Sequence, residues 1–374
     1  MGDTTDIWTI KTALDWTCGY LERKGVENPR VSAQWLLSEA CGLSRIELYM
    51  NAERPLSSDE RDVLRAYVSR RGAGEPLQYI VGEAPFRYLT LKVRPGVLIP
   101  RPETEVLVSE ALACLPEPPQ RVATWNAEAA EQEAAAVADL KQKMAEISAA
   151  VNAENTSREA TEDAEGEDFA GAVSANVSRE EFPGQAAEDV VAVDAADGAR
   201  GDYLLVADIC TGSGCIACSV ASERPDTRVI AVDIDAGAVS LARENAEALD
   251  LADKVRVLQG DLGAPIPERF LGRFDLVVSN PPYVPTRVLQ DIPREVADFE
   301  PALALDGGAD GLDVLRRLLP WCARALKPGG FFAFELHETC LDAAADMARG
   351  AGFADVRVKR DLAGRPRVLL GSKR

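Results

Sequence analysis

YLLVADICTGSGCIACSVA, residues 203–221, carries the first strand–turn–helix unit of an alternating pattern. Residues 203–210 are an apolar run of strand length, Thr-Gly-Ser-Gly at 211–214 ends it, and a helix is expected from Gly214 onward. The pattern repeats downstream. Strands are predicted at 228–234, 255–261, 274–279 and 331–336, with helices at about 236–249 and 312–326 and another ending near Arg349. The tail ADVRVKRDLAGRPRVLL (354–370) reads as two strands around Ala363-Gly364, the one hairpin of this half. Alternating β and α elements give an α/β fold with a doubly wound, mostly parallel sheet, in which the terminal hairpin makes one strand antiparallel.

Upstream, the periodicity is helical. Ile7, Ile10, Leu14 and Leu21 share one face, a second helix is predicted over 30–40 with apolar Val31, Trp35 and Leu36, and a third begins at Ser57 or Ser58 with acidic Asp59 and Glu60 in its first turn. The expected division is an N-terminal helical bundle over 1–73, a β-hairpin linker over 74–100, and the α/β domain over 101–374. Within the linker, FRYLTLKV (86–93) alternates as a strand. The α/β domain opens with a helix start at Arg101-Pro102-Glu103, since proline suits the first turn.

An insertion at about 117–201 interrupts that domain. Of the net charge of −20, residues 126–200 supply −13, from 18 acidic and 5 basic residues. One helix is predicted over 128–149; the remainder has too little apolar surface to offset its ordering entropy, so the insertion is expected to be mostly disordered. The acidic balance argues against a stable nucleic-acid partner, because phosphate affinity comes mainly from Lys and Arg. No apolar run approaches the roughly 20 residues of a spanning helix, and the N-terminal MGDTTDIW lacks a secretory core and has Asp6 where an acylation signal needs Ser or Thr. A soluble cytoplasmic protein without a membrane partner is the expectation. Cys210, Cys215 and Cys218 have an iron–sulfur-like C-x4-C-x2-C spacing, but they straddle a strand end and a helix start and read as small buried thiols. With His337 the only histidine, no metal site is expected.

Three elements carry chemistry. In DICTGSG (208–214), Gly212 and Gly214 let a ligand approach the backbone, and the next helix offers unpaired N–H groups. With Ala217 they also satisfy G-x-G-x-x-A, which fits a dinucleotide site as well. Asp233 closes the second strand, where its carboxylate can accept both hydroxyls of an adenosine ribose, whichever the cofactor. SNPPY (279–283) follows the strand at 274–279, at the carboxyl edge where open α/β sheets bind ligands. Its two prolines remove N–H donors and free backbone carbonyls, Asn280 adds an acceptor, and Tyr283 adds an aromatic face. Such a loop suits a planar group bearing NH2. A nicotinamide-dependent oxidoreductase would use Gly212, Gly214 and Asp233 but leave this loop idle.

Residues 208–214, Asp233, Gly260-Asp261 and Asn280-Pro281-Pro282-Tyr283 resemble the motifs of class I S-adenosylmethionine-dependent methyltransferases acting on amide or exocyclic amino nitrogens. EPLQYIVG (75–82), VLIPRPETE (97–105), FEPALALDGGADGL (299–312) and DLAGRPRV (361–368) closely resemble the release-factor glutamine methyltransferases, the HemK/PrmC family. The resemblance covers residues 6–371 outside the insertion. It implies a Rossmann-like class I methyltransferase domain behind a helical bundle and hairpin linker, with S-adenosyl-L-methionine as methyl donor and no metal. The implied reaction is methylation of the Gln side-chain amide in the Gly-Gly-Gln loop of class I peptide chain release factors; the alternative is an adenine-N6 DNA or RNA methyltransferase. Carried over by position, the cofactor-binding residues are Asp208, Cys210, Thr211, Gly212, Ser213, Gly214, Asp233, Asp261, Leu262 and Asn280. Asn280, Pro281 and Tyr283 would be catalytic, with Pro282 completing the substrate-binding loop.

Three features depart from the family pattern. Cys210 stands where glycine is common and is expected to act through its backbone. Leu336-His337 replaces Ile-Gly, leaving Glu335 in register and His337 at a helix start rather than as a base. The acidic insertion is the third.

Overall fold

The computed structural model describes residues 8–117, 203–290 and 292–374; the acidic insertion and the helix predicted within it lie outside these residues. At the N-terminus, α1 (Ile10–Arg23), α2 (Pro29–Cys41), α3 (Arg45–Met50), α4 (Ser58–Gly72) and α5 (Leu77–Val81) share a core that includes Leu14, Leu21, Leu36, Leu48 and Leu64. Capping boxes start α3 (Ser44 with Glu47) and α4 (Ser57 with Glu60), each satisfying two otherwise unpaired backbone donors. Helices α3 and α5 have six and five residues, too few for a periodicity to show in the sequence.

The strand expected over 86–93 needs correction. The chain runs as β1 (Glu83–Phe86), turns at Arg87-Tyr88, and returns as antiparallel β2 (Leu89–Lys92). Arg87 takes a left-handed φ of +52°. Its guanidinium grips Glu223 at 2.5 and 2.7 Å and the Glu105 carbonyl at 2.8 Å, while its N–H donates to the Glu105 carboxylate at 3.1 Å. Distant partners hold a turn that local alternation hides. The other end of the hairpin is fastened by buried Asn245, which exchanges hydrogen bonds with the Lys92 backbone (2.8 and 3.0 Å) and donates to the Ser213 carbonyl at 2.9 Å.

Helix α6 (Pro102–Ala113) has Pro102 in its first turn beside Glu103 and Glu105, a favourable arrangement for φ and for the helix dipole. Then come β3 (Leu204–Ile209), α7 (Cys215–Glu223), β4 (Thr227–Asp233), α8 (Ala236–Ala248), β5 (Val255–Gln259) and β6 (Phe274–Ser279). A single turn α9 (Arg294–Ala297) is followed by α10 (Asp313–Ala325), β7 (Leu326–Glu335), α11 (Leu341–Gly350), β8 (Ala354–Arg360) and β9 (Pro366–Ser372). Strand β7 starts earlier than the sequence suggests, because residues between its pairings at Leu326 and Phe331 bulge out of register against β6.

Among the described residues seven strands form one sheet in the order β5-β4-β3-β6-β7-β9-β8, in which β9 runs opposite to the other six. Side chains alternate across the sheet: Leu205, Ala207 and Ile209 join the core under α10 and α11, whereas Val206 joins the core under α6, α7 and α8. With both faces covered, β6 is buried along its whole length. The chain winds from β3 toward β5 and then resumes on β3's other side with β6, so a crevice opens at the carboxyl ends of β3 and β6.

Candidate active site

Beyond β3 the backbone turns sharply, with left-handed φ at Cys210 (+62°), Gly212 (+55°) and Gly214 (+80°). A Cβ on Gly212 would meet no atom within 4 Å, so its backbone lies bare to the crevice; one on Gly214 would come 3.2 Å from the Ala242 Cα, a tight approach to α8 at a φ that itself favours glycine. Asp233, at the end of β4, fastens the turn: its Oδ2 accepts the Gly212 N–H at 2.8 Å and its Oδ1 accepts the Asp235 N–H at 3.0 Å. Burial raises the Asp233 carboxyl pKa, and the two backbone bonds oppose that rise.

Asp208 lies behind the turn, with no exposed surface. Its Oδ2 accepts the Thr211 hydroxyl at 2.6 Å and the Ala217 N–H at 3.1 Å, pinning the loop to the first turn of α7, while its Oδ1 has no hydrogen-bond partner. Burial pushes this carboxyl up to about 7.

The crevice brings together Cys210, Gly212, Asp233, Asp261, Leu262, Asn280 and Pro282. A smaller recess adjoins it, sharing Cys210, Gly212 and Asn280 and adding Thr211 and Ser213. Asp208, Gly214, Pro281 and Tyr283 line neither cavity. At the rim, Asp261 is ion-paired with Arg317 of α10. His337 stands ahead of α11, away from both cavities, with Nδ1 at 2.8 Å from the Thr339 hydroxyl. Cys215 and Cys218 are buried, and among the described residues no three of His, Cys, Asp and Glu are grouped to hold a metal ion.

Segments that received no residue-level role from sequence form the rest of the walls. Val97 and Leu98 contribute one side, and Pro301, Leu303 and Ala304 another. The 299–312 segment also braces the SNPPY loop: Val284 N–H donates to the Leu305 carbonyl, and Gly307 N–H returns a bond to the Val284 carbonyl, both at 2.9 Å. A Cβ at Gly307 would lie 2.7 Å from the Tyr283 Cα, which explains a glycine there.

One polar cluster links three distant parts of the chain behind Asn280. The Asn280 Nδ2 donates to Thr104 Oγ1 at 3.1 Å, the Thr104 hydroxyl donates to Glu335 Oε2 at 2.8 Å, and the Tyr283 hydroxyl donates to Glu335 Oε1 at 2.9 Å. Glu335 is fully buried at the end of β7, and burial raises its carboxyl pKa against the pull of these two hydroxyls. Burial and the adjacent carboxylate both raise the Tyr283 hydroxyl, keeping it protonated. Asn280 and Tyr283 of this cluster were singled out in the sequence, whereas Thr104 was visible only as part of VLIPRPETE and Glu335 only by its strand register.

Residues 12–82 match the family model of the PrmC N-terminal domain, and residues 200–296 match that of the methyltransferase small domain. Over 371 residues the chain is 35% identical to the release factor glutamine methyltransferase of Geobacter sulfurreducens, covering 99% of each. It is 34% identical to the enzyme of that name from Moorella thermoacetica (98% of this chain, 99% of the relative) and 31% identical to that from Caulobacter vibrioides (98% and 97%).

Proposed function

The chain belongs to the release factor glutamine methyltransferase family, and from that premise we propose that it methylates the Gln side-chain amide in the Gly-Gly-Gln loop of class I peptide chain release factors. It is a methyltransferase of class I fold that acts on release factors, with S-adenosyl-L-methionine as methyl donor. The observation that carries the finer reading is the position of Asn280, which lines both the crevice beside Asp233 and the recess beside Thr211 and Ser213.

The residues present fit the donor. The bare Gly212 backbone leaves room for a ligand that a Cβ would exclude, and Asp233 keeps lone pairs for a ribose diol beyond those used on Gly212 and Asp235. Leu262 and Val232 supply apolar wall for a purine. Cys210, Thr211, Ser213 and Asn280 surround the adjoining recess, and Asp208 and Gly214 support the loop from behind. When bound, S-adenosyl-L-methionine supplies an electrophilic sulfonium methyl.

The chain's own task is to orient a weak nucleophile. A carboxamide nitrogen has its lone pair delocalised into the carbonyl, so its N–H bonds must be held while the lone pair turns toward the methyl. Asn280 Oδ1 is the acceptor for one of those N–H groups, and the Pro281 carbonyl, which lies beside the cavities rather than in their lining, is proposed for the other; both stabilise the positive charge that develops on nitrogen. Pro282 and Tyr283 stiffen the loop that carries them. The proton leaves after transfer, when the nitrogen is strongly acidic, so neither a base of neutral pKa nor a metal is used. The substrate sets the compartment, the cytoplasm. On the same footing, residues 1–73, 74–100 and 101–374 are proposed as bundle, linker and methyltransferase domain.

The test offers methyl-labelled S-adenosyl-L-methionine together with class I release factors, total RNA and DNA. Label on a release-factor Gly-Gly-Gln peptide supports the reading; label on adenine alone overturns it.

A further inference from the structure

Behind Asn280 two hydroxyls, one buried carboxyl and one amide share three hydrogen bonds. With Glu335 ionised, both of its oxygens accept, one from the Tyr283 hydroxyl at 2.9 Å and one from the Thr104 hydroxyl at 2.8 Å. Thr104 has a single hydroxyl proton and spends it on Glu335, so toward Asn280 its oxygen can only accept. Of the two ends of the Asn280 amide only the NH2 can donate, and Nδ2 lies 3.1 Å from Thr104 Oγ1. That contact turns Asn280 Oδ1 away from Thr104. Reversing the amide would set its carbonyl against an oxygen with no proton left and present an NH2 to the substrate.

Resting on the function proposed above, we infer that Thr104, anchored on Glu335, is a positioning residue that fixes the Asn280 amide with its oxygen toward the acceptor nitrogen. Thr104 and Glu335 are 2% and 0% exposed, so water does not substitute for either hydroxyl contact. Thr104 sits in the first turn of α6, which explains structurally why that helix meets the end of β7 at the catalytic loop. Glu335 serves two residues of SNPPY at once, Asn280 through Thr104 and Tyr283 directly.

The experiment uses the full chain with a class I release factor and labelled S-adenosyl-L-methionine. Thr104→Val keeps the side-chain shape and removes the hydroxyl, and kcat should fall roughly 10- to 100-fold because the amide loses its orientation. KM for the release factor and Kd for the cofactor should stay within about threefold, as for a group acting on the transition state. Thr104→Ser restores the hydroxyl but lacks the methyl, and should recover kcat to within about threefold of wild type. A packing role predicts the opposite order, with Ser no better than Val. Glu335→Gln must face one hydroxyl with an NH2, so it should also lower kcat; it decides the matter if Thr104→Val does not fold, as judged by its thermal midpoint and cofactor Kd. Wild-type turnover in Thr104→Val or in a folded Glu335→Gln, or failure of Ser to rescue, overturns the inference. If the wild-type enzyme labels adenine and not a release factor, the proposed function fails, and the same variants are scored for kcat on adenine.

Discussion

Asp233 holds Gly212. Its Oδ2 accepts the Gly212 N–H at 2.8 Å across the strand-end gap, while its Oδ1 accepts the Asp235 N–H at 3.0 Å. One carboxylate therefore shapes the glycine turn and the start of α8, and its remaining lone pairs are those proposed for the ribose. Asp233→Ala removes charged acceptors worth about 1.5–3 kcal/mol, so cofactor affinity should weaken roughly 10- to 100-fold. Asp233→Asn keeps one carbonyl acceptor but faces the other N–H with its own NH2, and should fall between. Titration calorimetry on folded variants reads both, and wild-type affinity in Asp233→Ala would remove Asp233 from the cofactor site.

Asp208 gives a pH signature of opposite sign to the usual surface carboxylate. Its pKa rises from 3.8 to about 7 because the charged form is buried with one oxygen unpartnered. Between these values the folded chain keeps a proton that the unfolded chain releases. The stability that proton supplies is fully present below pH 3.8 and is lost as pH rises through about 7. Urea midpoints of wild type and Asp208→Asn, measured without cofactor from pH 5 to 8.5, should diverge in that direction, with wild type losing ground as pH rises. Parallel curves would show that Asp208 is charged throughout.

Cys210 occupies a left-handed φ of +62° in the cofactor loop. A side chain there costs about 1–2 kcal/mol, whereas glycine at the same place frees the unfolded chain by about 0.5–1 kcal/mol and loses the thiol's packing. These terms nearly cancel. Cys210→Gly should keep the thermal midpoint within a few degrees and cofactor affinity near wild type. Cys210→Val places a branched side chain at positive φ and into the crevice, and should lose both. A large destabilisation of Cys210→Gly would show that the thiol contributes more than backbone.

The parts of the site visible in the sequence are those made by short runs of chain. Gly212, Asp233 and Asn280 lie at or within three residues of the end of an apolar strand, so strand length alone puts them at the sheet's carboxyl edge. The reversal at Arg87 was hidden because Glu223 and Glu105 hold it, not the residues beside it. The Thr104–Glu335 contact spans 231 positions, and no periodicity or spacing rule connects a helix start to a strand end so far away. The 299–312 segment was recognisable as family-like, yet its bracing of Val284 needs a pairing between loops that carries no local pattern.

Asn280 is the residue on which the chemistry turns. It lines both cavities, and the Thr104 contact leaves Oδ1 as its free acceptor. In the ground state one amide hydrogen bond to substrate is worth little, because water would replace it. In the transition state nitrogen becomes positive, and an oriented oxygen stabilises that charge far better than mobile water. Asn280→Ala should therefore lower kcat by about 10²–10³-fold, the scale of a single oxyanion-hole group, with a smaller change in release-factor KM. Asn280→Asp tests orientation separately from charge: a carboxylate cannot donate to Thr104, so it should also be slow despite its stronger field. Mass spectrometry of wild-type product should find one added methyl on the Gln of the Gly-Gly-Gln peptide. An Asn280→Ala enzyme with normal turnover, or a methyl on the peptide backbone, would refute this role for Asn280.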